Sequence, residues 1–292
     1  MNNPLNYHEK IKNEQHVFLY AVSGRSSSTA LQRIINSGNQ VWLWGEPHGM
    51  LKQIFSVIAR AKGLTQTKGV KQALKAMYLS YIENKHLSFY PNATGNLDST
   101  IEVSNSLISN LLKPWAPKLK RFGFKEIDHI SIPLLEHLKE IYPQSIFIFC
   151  FRDPVKQWPS LCKLKLEIST DLDLFLRQYE SMATNYLKFA RKHGIKVFVE
   201  SSDLRDVKKV GQIMKYLNIT EIDTSLIDVT VHTIKPKRLS KADTEKILNS
   251  PAYISYLKMR KVSKSFYNQQ LIKDKITDTK SDQTTIKKQL TI

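Results

Sequence analysis

The chain has 292 residues, of which 41% are hydrophobic and 10% aromatic, enough to bury a sizeable core in one large domain. Its two cysteines, Cys150 and Cys162, rule out a disulfide framework, and no histidine stands at ligand spacing from them to suggest zinc. A net charge of +18 suits a polyanionic partner, but the lysines are spread along the chain and are not interleaved with aromatic residues, which disfavours a nucleic-acid groove and favours an anion-binding cleft.

Residues 1–15 are polar and read as a loose leader with no secretory signal. Val17 to Val22 is a short apolar, β-rich run and reads as a buried strand. Ser23-Gly24 interrupts it, and Arg25-Ser26-Ser27-Ser28-Thr29 leads into a helix marked by Leu31, Ile34 and Ile35. Gln40 to Trp44 is a second strand, expected beside the first, ending at Gly45-Glu46-Pro47-His48. Helices follow over Met50–Ala61 and Val70–Ile82, then a loop over Leu87–Asn96 and a helix over Ser99–Lys113 with Ser99 and Glu102 as a capping box. Arg121 to Ile127 is a strand ending in charged residues, and Ile132 to Ile141 a helix stopped by Pro143.

Ser145 to Phe151 is the most apolar strand and is expected in a central parallel position. Arg152-Asp153-Pro154 follows directly, with Asp153 as N-cap and Pro154 as first helical residue. A long helix over Asp171–His193 closes at Gly194, followed by a strand over Ile195–Val199 and a helix over Leu204–Leu217. The signals weaken from Thr224, and Leu271 to Ile292 reads as an unstructured tail. Alternating strands and helices predict an α/β fold with a mostly parallel sheet flanked by helices on both faces, forming one domain over residues 16–270. The apolar runs are too short to cross a bilayer, so a soluble cytoplasmic protein is expected.

In such a sheet, ligands bind at the carboxyl ends of the strands. Four of those ends are polar here: Ser23–Thr29, Glu46–His48, Lys125-Glu126 and Arg152-Asp153. A strand, a small-residue turn and a helix start make an anion cradle, because the first-turn N–H groups lack partners and the helix dipole favours negative charge. An ordinary corner with a serine N-cap has the same pattern, so the convergence of four ends carries the inference. Gly24 to Thr29 lacks the second Gly and the Lys of the nucleoside triphosphatase loop, and Arg152 before Asp153 makes a poor magnesium strand. A P-loop nucleotide kinase is therefore the weaker enzyme reading, and a basic polyanion-binding protein without chemistry is the alternative from another class.

The order Ser23-Gly24-Arg25-Ser26-Ser27-Ser28-Thr29, then Arg152-Asp153-Pro154 with Ser160, resembles the two motifs of the sulfotransferases that use 3′-phosphoadenosine 5′-phosphosulfate (PAPS). The resemblance spans roughly residues 16–220 and includes Val197–Asp203 as the family's later strand and Asp-Leu turn. It implies the P-loop-like sulfotransferase fold, PAPS as co-substrate without a metal, and a small-molecule or carbohydrate acceptor. By the same resemblance, Arg25, Ser28 and Thr29 hold the 5′-phosphosulfate, with the loop N–H groups of Gly24, Ser26 and Ser27 completing the cradle. Arg152 and Ser160 grip the 3′-phosphate. Lys125 matches the family's lysine at the third strand end and implies a contact to the sulfuryl group.

Glu46 is the first choice of base, His48 the runner-up, and Glu126 and His129 rank below them. Residues 50–115 would form the acceptor side, with Trp42, Trp44, Phe89 and Tyr90 as apolar walls. His232, Lys235, Lys237 and Arg238 are candidates to close over the nucleotide. Two departures stand out. Ser27 takes the place of a family Gly, and Pro159 is expected to bend the helix just before Ser160.

Overall fold

The computed structural model describes residues 9, 11–46, 50–66, 97–113, 118–119, 121–127, 132–164, 170–227 and 239–289. Among them, five strands form one parallel sheet: β1 (Val17–Ala21), β2 (Val41–Trp44), β3 (Arg121–Glu126), β4 (Ile146–Phe151) and β5 (Phe198–Glu200). Their order is β2-β3-β1-β4-β5. The helices are α1 (Ser28–Ser37), α2 (Met50–Gln66), α3 (Leu97–Leu111), α4 (Ile132–Ile141), α5 (Pro154–Leu161), α6 (Leu172–His193), α7 (Val207–Tyr216), α8 (Lys241–Leu248) and α9 (Pro251–Gln289).

Strand alternation divides the buried residues into two cores. Phe18, Tyr20 and Val22 join Phe122, Phe124, Phe147 and Phe149 on one face, under α2, α3, α4 and α6. Val17, Leu19, Ala21, Ile148 and Cys150 join Leu31, Ile34 and Ile35 of α1 and Val210 and Ile213 of α7 on the other. The first core is aromatic: Tyr186 of α6 stacks on Phe149 with ring centroids 4.5 Å apart. Both faces of β1 and β4 are covered, which is why these strands read as continuous apolar runs.

β2 does not lie beside β1, as the sequence suggested; β3 sits between them. Gly123 makes this possible. It pairs with Val17, and a Cβ there would stand 1.5 Å from the Val17 carbonyl oxygen. Phe122 and Phe124 need cover on both sides, whereas Trp42 and Trp44 are only partly buried and suit an edge.

Three further expectations change. Ile11, assigned to the loose leader, is buried, and its carbonyl lies 2.8 Å from His16 Nε2. His16 Nδ1 accepts from the Phe122 N–H at 3.2 Å, and the imidazole stacks on Phe122 at 3.8 Å, so residues 11–16 are fastened to the sheet. α3 begins at Leu97, which puts Ser99 inside the helix and not at its cap. Leu271 to Gln289 continues α9, because extending a nucleated helix costs little even without an apolar face. The expected helix over Val70–Ile82 and loop over Leu87–Asn96 lie outside the described residues.

Candidate functional site

The loop between β1 and α1 carries the backbone strain of the site. Arg25 and Ser27 both adopt left-handed conformations, with φ of 64° and 66°. Such conformations cost about 1–2 kcal/mol for a residue with a Cβ and collect where function over-determines the backbone. Left-handed residues within a loop turn successive N–H groups toward one point, a concavity suited to an anion. Ser27 is the N-cap of α1 but makes no side-chain cap. Its hydroxyl instead meets Ser201 Oγ at 2.5 Å, on the turn that follows β5.

The serines of this loop divide their work. Ser26 is fully buried, and its hydroxyl has no hydrogen-bond partner among the described residues. Ser28 is buried in the first turn of α1, while Thr29 is exposed and accepts from Lys125 Nζ at 3.3 Å.

The β4–α5 corner closes on this loop from the adjacent strand. Asp153 caps α5 by accepting from the Val155 N–H at 2.9 Å, with Pro154 first in the helix as expected. That cap aims the corner so that Arg152 Nη1 donates to the Arg25 carbonyl at 3.2 Å. Arg25 Nε in turn donates to Ser160 Oγ at 3.0 Å. α5 runs through Pro159 to Leu161, so Ser160 still reaches the site. Gln157 Nε2 donates to the Gly24 carbonyl at 2.6 Å, and Tyr179 of α6 donates to the Arg152 carbonyl at 2.8 Å. The two motifs are thus one hydrogen-bonded unit.

Charge accumulates in this corner. Burial first, then the guanidiniums of Arg25 and Arg205, hold Arg152 below the ordinary arginine range, while Asp153 acts in the opposite direction. Three guanidiniums that repel one another are stabilised together by a ligand with several negative charges.

A third side comes from β2 and β3. Lys125 Nζ, at the end of β3, is ion-paired with Glu46 Oε1 just beyond β2. Although β2 is two strands from β1, Glu46 therefore stands beside Thr29 through Lys125. Glu126 is turned to the opposite face by strand alternation and is buried. There, burial and then the Glu126 carboxylate push the Tyr20 hydroxyl well above its usual range. Trp44 Nε1 donates to the Leu112 carbonyl at 3.1 Å, so this ring ties β2 to the end of α3. His48, His129, Phe89, Tyr90, His232, Lys235, Lys237 and Arg238 lie outside the described residues.

The sequence reading missed Gln157, Ser201, Arg205 and Tyr179. Gln157 had a signal, a polar residue one turn into a helix that begins at a strand end. Ser201 and Arg205 had none, since only the sheet order brings the β5 turn to the β1–α1 loop.

No described group of three or more His, Cys, Asp or Glu side chains is arranged to hold a metal ion, and no described helix is long and apolar enough to cross a membrane. What the fold and site define is a parallel α/β protein that gathers Arg25, Arg152 and Lys125 at neighbouring strand ends. A model of the sulfotransferase family matches residues 22–222, which include both motifs, and the chain belongs to that family.

Similar solved structures include the sulfotransferase domain of the Synechococcus PCC 7002 olefin synthase (16% identity, TM-score 0.43, 88% of this chain and 95% of that one). Sulfotransferase STF9 of Mycobacterium avium is another, at 14% identity and TM-score 0.46 over 88% of this chain and 82% of that one. A stretch of 168 residues is 27% identical to human Ataxin-3, covering 56% of this chain and 43% of that protein. The chain spans under half the length of that curated relative, and the identity is too low and too partial to carry a function across.

Proposed function

We propose that this protein transfers a sulfuryl group from PAPS to a hydroxyl or amine of a small-molecule or carbohydrate acceptor. The observation that carries this reading is the bonding of Arg25 to Ser160 and of Arg152 to the Arg25 carbonyl, which joins the two motifs into one site. Arg25, Thr29 and the loop N–H groups suit the phosphosulfate, and Arg152 and Ser160 suit the 3′-phosphate, a group that ATP lacks. The co-substrate supplies an activated sulfuryl group on a phosphate leaving group.

In an in-line transfer, an acceptor lone pair forms the new bond to sulfur as the bond to the bridging oxygen breaks. The departing phosphate keeps that electron pair, and the acceptor proton passes to a base. Arg25 stabilises charge growing on the bridging oxygen, a contact of a kind whose loss costs about 10²–10³ in rate. Glu46 serves as the base, and Lys125, between Glu46 and Thr29, contacts the sulfuryl oxygens. We assign one domain to residues 16–270, with the acceptor side in residues 50–115, where α2 and α3 pack against each other. A chain with only two cysteines cannot build a disulfide framework, which suits a reducing compartment, and we place the protein in the cytoplasm on that ground.

The test is calorimetric binding of 3′-phosphoadenosine 5′-phosphate (PAP) without metal. Wild type is expected to bind in the micromolar range, and Arg152→Ala to lose about tenfold or more, the worth of a charge-assisted bond. Folded wild-type protein that ignores PAP but binds ATP with magnesium would overturn the reading in favour of a kinase.

A further inference from the structure

The family match ends at residue 222, yet α9, which starts at Pro251, returns to the site. α9 packs along β5, the outer strand, and contributes to both cores: Tyr256 and Met259 to the aromatic one, Phe266 to the other. A stripe of its residues at helical spacing meets the polar turn that follows β5. Tyr256 donates to Glu200 Oε1 at 3.0 Å, Arg260 Nε stands 3.6 Å from Glu200 Oε2, and Ser263 donates to Asp203 Oδ2 at 3.4 Å.

The turn itself is tightly specified. Glu200 and Asp203 form a reciprocal capping box over the short 3₁₀ segment Ser201–Arg205, with the Glu200 N–H donating to Asp203 Oδ2 at 3.0 Å. Lys209 of α7 pairs with Asp203 Oδ1 at 2.6 Å. Both carboxylates are largely buried, with side-chain exposures of 13% and 5%, so their orientation depends on these partners. What the turn presents is Ser201, in contact with Ser27 of the strained loop, and Arg205, whose charge reaches Arg152.

We propose that α9 is a positioning element of the donor site: Tyr256 and Ser263 fix the Glu200–Arg205 turn, and Ser201 on that turn holds Ser27 in its left-handed conformation. This rests on reading the β1–α1 loop as the PAPS cradle. A cradle of backbone N–H groups binds well only when it is set before the ligand arrives. Ser27 has no side-chain cap of its own to set it. Burial, then the Glu200 charge, push the Tyr256 hydroxyl above its usual range, so it remains a donor at any working pH.

The experiment joins hydrogen exchange of the unliganded protein to PAP calorimetry in a double-mutant cycle of Tyr256→Phe and Ser201→Ala. Tyr256→Phe keeps the ring against Phe151, so only the hydroxyl is lost. Each single variant is expected to speed exchange at residues 24–29 about fivefold, leave β1 and β4 protected, and weaken PAP about three- to tenfold. The double variant should bind no worse than the weaker single one, because both act through one contact. Ser263→Ala should reproduce the effect more mildly and serves if Tyr256→Phe does not fold.

Additive losses, or loop exchange unchanged in both Tyr256→Phe and Ser263→Ala, would overturn the proposal. If wild type does not bind PAP, the donor reading fails while the exchange data still decide whether α9 sets the loop.

Discussion

The β1–α1 loop holds residues where side chains are uncomfortable. Ser27 occupies a left-handed position that a glycine adopts freely, and it keeps a hydroxyl that glycine lacks. Ser27→Ala should therefore be the worse of two substitutions, since it retains the strain and loses the bond. Ser27→Gly should unfold about 1 kcal/mol later than Ser27→Ala by chemical denaturation, while still binding PAP less tightly than wild type. Glu46→Gln tests the base: kcat should fall about 10²–10⁴ with PAP affinity nearly unchanged, measured by product assay beside calorimetry. Arg25, Arg152 and Ser160 were legible because their motifs are local in the chain. The full burial of Ser26 was not, because a run of small polar residues does not say which of them is enclosed.

At the scale of elements, the Asp153 cap read well, while the Ser99 cap and the strand neighbours did not. Asp153 and Asp171 each sit before an apolar helical pattern, and each caps its helix. The hydrogen bond from the Leu174 N–H holds the Asp171 carboxyl below its usual range. A depressed carboxylate stabilises the fold above the unfolded pKa of about 3.9, and that stability is lost as pH falls through the lower folded value. Asp171→Asn keeps an acceptor for the helix but cannot titrate, so its acid-unfolding curve should be flatter than wild type below about pH 4, followed by circular dichroism. The sheet order was hidden because Gly123, inside an otherwise apolar strand, marks close backbone approach only once its neighbour is known. Gly123→Ala should cost more than about 3 kcal/mol or prevent folding, since the clash is with Val17 backbone.

For the whole molecule, alternating strands and helices foretold the α/β architecture, while the part played by α9 was invisible. Its polar stripe acquires meaning only when β5 is known to be the outer strand. On the proposed donor reading, the net charge of +18 also acts at this scale, through a field expected to gather polyanions toward three guanidiniums in one corner. Raising ionic strength from about 0.05 to 0.5 M should weaken PAP binding by an order of magnitude, with a shallower dependence in Arg152→Ala. A salt-insensitive affinity would mean that hydrogen bonds alone hold the ligand.

The pairing of β1 has a consequence for how the chain is made. Both of its partners, β3 and β4, lie about a hundred residues or more downstream. At synthesis rates of about 5–20 residues per second, the strand leaves the ribosome roughly 5–25 s before either partner exists. During that interval Val17 to Val22 is an apolar segment with both edges open, the kind that holdase chaperones shelter and that aggregates when they are scarce. The strand that leads into the β1–α1 loop thus waits for about a hundred residues of later chain before it can take its place in the sheet.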